Sequence, residues 1–141
     1  MCLILLAWRV QPGFPLVVAA NRDEFHARPA AAAGFWQDRP GILAGRDLQA
    51  QGTWLGVARN GKFAAVTNYR GAHDPGAKES RGALVAGFLL SDSSSKTFVE
   101  KTEKIKGGYS GFNFLAADRN ERLSLSHRAG DPRPLAPGFY A

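Results

Sequence analysis

The sequence predicts an α+β domain built largely on antiparallel sheet. Three observations carry that expectation. Apolar runs of strand length come first, helical periodicity occupies residues 80–106, and apolar runs return after it. Pro12-Gly13 and Asn60-Gly61 each separate two apolar runs, which is the turn chemistry of hairpins. Gly107, Gly108 and Gly111 then punctuate the passage from helix back to strand.

In order, residues 3–10 and 16–20 form the first apolar pair, read as two buried strands around Pro12-Gly13, with Cys2 at the head of the first. Residues 21–41 read as loop, with Pro29, Pro40 and several charges; the alanine run at 30–33 suits a short helix, bracketed by Pro29 and Gly34. Residues 54–58 and 63–67 read as a second hairpin turning at Asn60-Gly61. Residues 71–78 are a polar loop. A helix starts near Ser80, with Leu84, Val85, Phe88 and Leu89 on one face. Serines at 91–95 break it. A serine-capped second helix runs to about Lys106 on sparse apolar positions, Phe98, Val99 and Ile105. Residues 112–117 and 123–127 form a third hairpin, turning at 118–121. The stretch 130–138 carries three prolines and reads as irregular, and Phe139-Tyr140 looks like the opening of a further element. The expectation is a single domain over 1–141 that is the N-terminal portion of a larger fold.

With 141 residues, of which 45% are hydrophobic, the chain can bury a core as one domain. One cysteine rules out an intramolecular disulfide and fits a reducing, cytoplasmic setting. The apolar start is short, is interrupted by Arg9 and lacks a basic leader, so it does not read as a signal peptide, and no apolar run is long enough for a membrane helix. The net charge of +6 raises nucleic acid as a partner, but the basic residues are scattered singly, which argues against it and for a basic pocket taking a small anion. His26, His73 and His127 show no metal-ligand spacing, so no metal site is expected. Gly45 and Gly107-Gly108 lack the following Lys-Ser/Thr of a phosphate loop.

Cys2 is the residue with chemistry to offer. Removal of Met1 would place a thiol and a free α-amine on one residue, and both titrate near working pH. The amine can then serve as base towards its own side chain. The competing reading is a small buried hydrophobe. Beyond the first hairpin lies Asn21-Arg22-Asp23-Glu24-Phe25-His26-Ala27-Arg28-Pro29. Strand ends present side chains to pockets, although the same cluster suits a surface turn with solvated ion pairs. Trp54, within Gly52-Thr53-Trp54-Leu55-Gly56, reads first as a core strand residue beside close-packed glycines and second as a pocket wall.

Asn-Arg-Asp-Glu after an N-terminal Met-Cys strand resembles the NRDE family, whose animal member is transport and Golgi organisation protein 2. The likeness runs through Phe25, Arg28-Pro29, Trp36, Leu43-Ala44-Gly45-Arg46-Asp47, the Gly52 to Val57 motif, the run from Ala65 to Tyr69, and Gly111-Phe112-Asn113. It implies an N-terminal nucleophile (Ntn) hydrolase-like αββα fold. It also implies a setting in haem trafficking or in lipid and acyl-CoA handling. A more distant likeness is to the cysteine Ntn acylases of bile salts and penicillin V, with Arg22 and Asp23 as nearest matches to their strand-end cluster and Asn68-Tyr69 to their later Asn-aromatic pair. That likeness implies Cys2 as nucleophile, Arg22 and Asp23 as its positioning residues, and Asn68 as an oxyanion donor. Asn21, Glu24, Arg28, Trp54 and Tyr69 are the ligand-contacting candidates. The acylases' further asparagine and late arginine have no counterpart here, and the Gly-Leu-Ser-Asn segment of NRDE relatives falls past residue 141.

The functional expectation is hydrolysis of a C–N or thioester acyl bond by Cys2. The rival is a non-catalytic cytoplasmic carrier of an anionic amphiphile, with Trp8, Trp36, Trp54 and Tyr69 as aromatic walls. No cofactor is required under the first reading; under the second, haem is a ligand, with His26 and His73 as the nearest axial candidates.

Overall fold

The computed structural model describes residues 2–69, 76–126 and 131–141. Its first hairpin pairs β1 (Leu3–Gln11) with β2 (Phe14–Asn21), in register from Leu3 opposite Asn21 to Trp8 opposite Leu16. Gly13 takes φ +78° in the connecting turn, the left-handed value that glycine adopts without steric cost. A bulge between Trp8 and Gln11 sets Arg9 at φ +49°, with its guanidinium 4.7 Å from the Trp8 ring centroid.

Residues 30–47, mostly read as loop, form a second hairpin instead: β3 (Ala30–Trp36) against β4 (Arg39–Asp47). Neither loop nor helix holds for the alanine run. Alanine is a weak strand former, and here pairing to β4 decides its conformation. β3 is an edge strand with exposed alanines, so it carries no alternation of apolar and polar residues to betray it. Trp36 anchors it from the buried side, its indole N–H donating to the Ala44 carbonyl at 3.2 Å.

β5 (Leu55–Ala58) and β6 (Phe63–Asn68) pair as expected. Their turn differs in detail. Gly61 takes φ +88° while Asn60 does not enter the left-handed region. Gly61 N–H bonds to the Ala58 carbonyl and Ala58 N–H to that of Lys62, giving a three-residue loop ending in a glycine bulge. Helix α1 (Arg81–Leu90) follows, burying Leu84, Val85, Ala86, Phe88 and Leu89. Helix α2 (Ser95–Ile105) starts at an N-cap Ser94 whose Oγ accepts from Thr97 N–H. Its buried residues are Ser95, Val99 and Thr102; the Thr102 hydroxyl donates to the Phe98 carbonyl. Ile105, expected on the apolar face, is 55% exposed, because the helix ends as the chain turns away through Lys106–Gly108.

β7 (Phe112–Ala117) and β8 (Arg122–Ser126) make the third hairpin; His127 lies outside the described residues, as do His73 and most of the 71–78 loop. The tail is more regular than its prolines suggested. β9 (Arg133–Pro134) pairs with β8, and β10 (Gly138–Tyr140) adds to β1 with Tyr140 opposite Leu6. Both are short edge strands, where proline's missing donor is tolerated.

Among the described residues the strands form a sheet ordered β10-β1-β2 and a seven-stranded sheet from β3 to β9 in sequence order, with every strand pair antiparallel. β6 and β7 are buried on both faces. Ala64, Val66, Phe112, Phe114 and Ala116 point at the helices, while Phe63, Ala65, Leu115 and Ala117 point at Leu6, Ile4, Leu16 and Val18 of the smaller sheet. The layers are therefore helix, sheet, sheet. Leu3, Leu5 and Val17 stand about two-fifths exposed on the smaller sheet's other face, which no helix of the described residues covers. The expectation of an α+β domain on largely antiparallel sheet holds, whereas the second helix layer of an αββα arrangement is not present among the described residues. No helix of the described residues is long and apolar enough to cross a membrane.

Lys62 joins turn, helix and core. It is 8% exposed, and its ammonium donates to the carbonyls of Phe88 and Ser91 at the C-terminal end of α1, over the Phe88 ring. Burial lowers its pKa below the ordinary value, with Asp92 and Asp118 opposing. A lowered folded value means the unfolded state binds more protons between the two values, so stability from this group rises with pH up to the unfolded value near 10.4. Urea midpoints of wild type and Lys62→Met, compared from pH 7 to 9.5, should show wild type gaining on the variant as pH rises. Parallel pH profiles would show that the amine is not desolvated. The window stops below pH 10 because Tyr109, raised by burial, works in the opposite sense above it.

Candidate active site

Cys2 sits directly before β1, half-buried, at the end of the sheet stack where β2 runs out into the Asn-Arg-Asp-Glu segment. Antiparallel pairing makes this unavoidable: Leu3 lies opposite Asn21, so the residue before β1 meets the residues after β2. The Cys2 Sγ accepts from the Asp23 amide at 3.5 Å and lies 3.9 Å from the Asp23 carbonyl. These contacts run through the Asp23 main chain.

A cleft of about 340 Å³ opens here. Cys2, Arg22, Asp23 and Asn68 all line it, although they come from three places in the sequence. Asn68 reaches it from the end of β6. Of the ligand-contacting candidates, Glu24, Arg28 and Trp54 line the cleft; Asn21 and Tyr69 are not among its walls. Trp54 lines the cleft and also packs on the helix-side core. Trp8 and Trp36 are buried elsewhere, and His26 is exposed.

The charges are ordered. Arg22 donates to Glu24 at 2.8 Å. Arg28 donates through Nε and Nη2 to Asp47 Oδ2, at 2.9 and 2.6 Å, and its Nε lies 3.9 Å from Glu24. Asp47 Oδ1 accepts from the amides of Gln49 and Ala50, so one carboxylate fixes both the arginine and the loop after β4. Burial alone would raise the Asp47 carboxyl, but the Arg28 bond and the two amides bring it below the ordinary value. The Asp47 bond likewise raises Arg28. Arg46 is forked onto Asp38 and stacked 4.4 Å from the Trp36 ring centroid.

Two contributors lie outside the sequence expectation. Asp47 is one. The other is Arg81, the first residue of α1, whose Nη1 donates to the Gly111 carbonyl at 3.1 Å. Burial lowers the Arg81 pKa, while the charges of Glu24 and Cys2 oppose the shift, so it lies within electrostatic reach of the thiol. A guanidinium stays protonated throughout, and the shift registers how far it has been withdrawn from water. Its signal in the sequence is the resembling Gly-Thr-Trp motif. Gly52 and Thr53 abut Gly82, with Thr53 N–H bonded to the Gly82 carbonyl at 3.3 Å, and that contact docks the start of α1 beside the cleft. Among the described residues no three His, Cys, Asp or Glu side chains gather to hold a metal.

A family model described as Transport and Golgi organisation 2 matches residues 1–141. The chain belongs to the Transport and Golgi organisation 2 family. It is 37% identical to the mouse Transport and Golgi organization 2 homolog, over 99% of this chain and 55% of the relative. The bovine Transport and Golgi organization protein 2 homolog is 39% identical with the same coverage, and the Drosophila melanogaster protein is 29% identical over 84% of this chain and 46% of the relative. The chain thus spans about half the length of these Transport and Golgi organisation 2 relatives.

A second, more apolar groove of about 710 Å³ lies at the other end of the first hairpin, lined by Trp8, Phe14, Leu16 and Phe63 with Arg9 and Arg119.

Proposed function

We propose that this protein is an Ntn-type cysteine hydrolase of C–N or thioester acyl bonds, working in the reducing cytoplasm with Cys2 as nucleophile. The observation that carries the reading is the gathering of Cys2, Arg22, Asp23 and Asn68 on one cleft. Two stacked antiparallel sheets with helices on one outer face are consistent with the Ntn-like architecture. With Met1 removed, the α-amine takes the thiol proton and Sγ attacks the acyl carbon. The tetrahedral oxyanion takes a hydrogen bond from the Asn68 amide. Collapse breaks the C–N or C–S bond, and the amine returns the proton to the leaving nitrogen or sulfur. Water then cleaves the Cys2 thioester, releasing the acid and restoring the thiol. Arg22 and Asp23 hold the segment that grips Sγ.

Intact mass on the purified protein should show Met1 absent, and Cys2→Ala should lower hydrolysis of a panel of small amides and thioesters by about 10³-fold or more. The thermal midpoint should move little, since the thiol is partly exposed. Retained Met1, or a Cys2→Ala protein as active as wild type, would sink the nucleophile assignment.

A second reading, a carrier of a haem-like or acyl amphiphile, rests on the groove between Trp8, Phe14 and Phe63 with arginines at its rim. Under it, Cys2→Ala would leave ligand retention intact.

A further inference from the structure

The cleft at Cys2 is lined by four arginines among the described residues, and three of them already hold a carboxylate: Arg22 holds Glu24, Arg28 holds Asp47 and Arg46 holds Asp38. Arg81 differs. Among the described residues, the acceptor bonded to its guanidinium is the neutral carbonyl of Gly111. That bond uses Nη1 and leaves the Nη2 and Nε edge of the fork to other partners. The group is partly withdrawn from water, and a desolvated guanidinium gains most from a partner of opposite charge.

We infer that Arg81 is the residue that selects the substrate, and that the substrate is a small amide or thioester carrying a carboxylate close to the scissile carbonyl. This rests on the hydrolase reading above and adds the substrate class to it. Three features support it. Arg81 and Cys2 lie on the same cleft and feel one another's charge, so an anion held by Arg81 stands near the acyl carbon that Sγ attacks. The cleft, at about 340 Å³, is at the small end for ligand sites. Among the described residues its apolar lining side chains are Ala30, Ala31, Trp54 and Val66, which suits a short chain and not a long acyl tail.

The test uses a matched pair of probes, N-acetylglycine and its neutral amide N-acetylglycinamide, titrated by NMR into the full chain as wild type, Cys2→Ala, Arg81→Gln and Arg81→Lys. Inorganic phosphate serves as a third probe. Wild type and Cys2→Ala should both bind the anionic probe about tenfold more tightly than the neutral one, and salt should erode the difference. Arg81→Gln should bring the two probes to parity. Arg81→Lys, which keeps the charge and loses the fork, should weaken the anionic probe several-fold. Equal binding of the pair by wild type would overturn the inference, as would an unchanged preference in Arg81→Gln. If Arg81→Gln does not fold, unchanged binding of the anionic probe by Arg81→Lys overturns it. Phosphate binding as tightly as N-acetylglycine would overturn the carboxylate assignment in favour of any small anion. The outcomes separate from the nucleophile question. A carboxylate preference with full hydrolysis by Cys2→Ala keeps Arg81's role and discards Cys2's; loss of hydrolysis without the preference does the reverse.

Discussion

Gly52→Val should lower stability by about 3–5 kcal/mol and detach the start of α1 from the cleft. A Cβ at Gly52 would stand 2.6 Å from the Gly82 carbonyl carbon, 2.7 Å from its oxygen and 3.0 Å from the Ala83 nitrogen. All three are main-chain atoms in the first turn of a helix. The obstruction cannot be relieved by rotating a side chain. Both partners are also committed elsewhere, since Gly52 accepts from the Asp47 amide and Gly82 from that of Thr53. The loop must move away from the helix, and Arg81 moves with it. Thermal melts should show a fall of about 10 °C or more, with Gly52→Ala smaller and in the same direction. A midpoint within about 2 °C of wild type would mean that the loop relaxes at negligible cost.

Phe88→Ala should cost about 3–5 kcal/mol, against a total of roughly 5–15 kcal/mol for a domain of this size. Phe88 is fully buried at the centre of the helix-side core, its ring 5.2 Å from that of Phe98. Its face also meets the Lys62 ammonium at 4.6 Å. Truncation therefore opens a cavity and strips one partner from a buried cation. Phe88→Leu, which keeps most of the volume, should cost clearly less. Equilibrium urea unfolding measures both, and a loss below about 1.5 kcal/mol for the alanine variant would show that the core collapses to fill the space.

What could be read in the sequence depended on whether the deciding interaction is local. The Pro12-Gly13 and Asn60-Gly61 hairpins were legible because a turn's chemistry is written in two or three adjacent residues. α1 was legible because one face of it is apolar at helical spacing. The β3–β4 hairpin was not. Its partner strand imposes the conformation on exposed alanines, and the link at Gln37-Asp38 carries no glycine. β10 was hidden for a related reason: three residues cannot announce a strand, and only β1 makes them one. At the site, Cys2 and the Asn-Arg-Asp-Glu segment were legible because pairing of β1 with β2 brings the ends of a predicted hairpin together. Asn68 was placed by its likeness to a known pattern, and the fold carries it to the same cleft. Arg81 was not foreseen, because its signal lies in the distant Gly52-Thr53-Trp54 motif and not in its own neighbours. An isolated arginine at a helix start looks like any solvated one until the Gly52–Gly82 contact fixes where that helix begins.

The position of Asp47 has a consequence for motion. One oxygen of its carboxylate restrains Arg28, on the segment leading from Cys2's neighbours into β3; the other restrains the loop leading to Gly52. The Leu48 amide adds a bond to the Pro29 carbonyl across the same gap. Two walls of the cleft are therefore tied to each other through Asp47 and the Leu48–Pro29 bond. A displacement of either wall should carry the other with it, so the cleft's width and the docking of α1 are expected to change together.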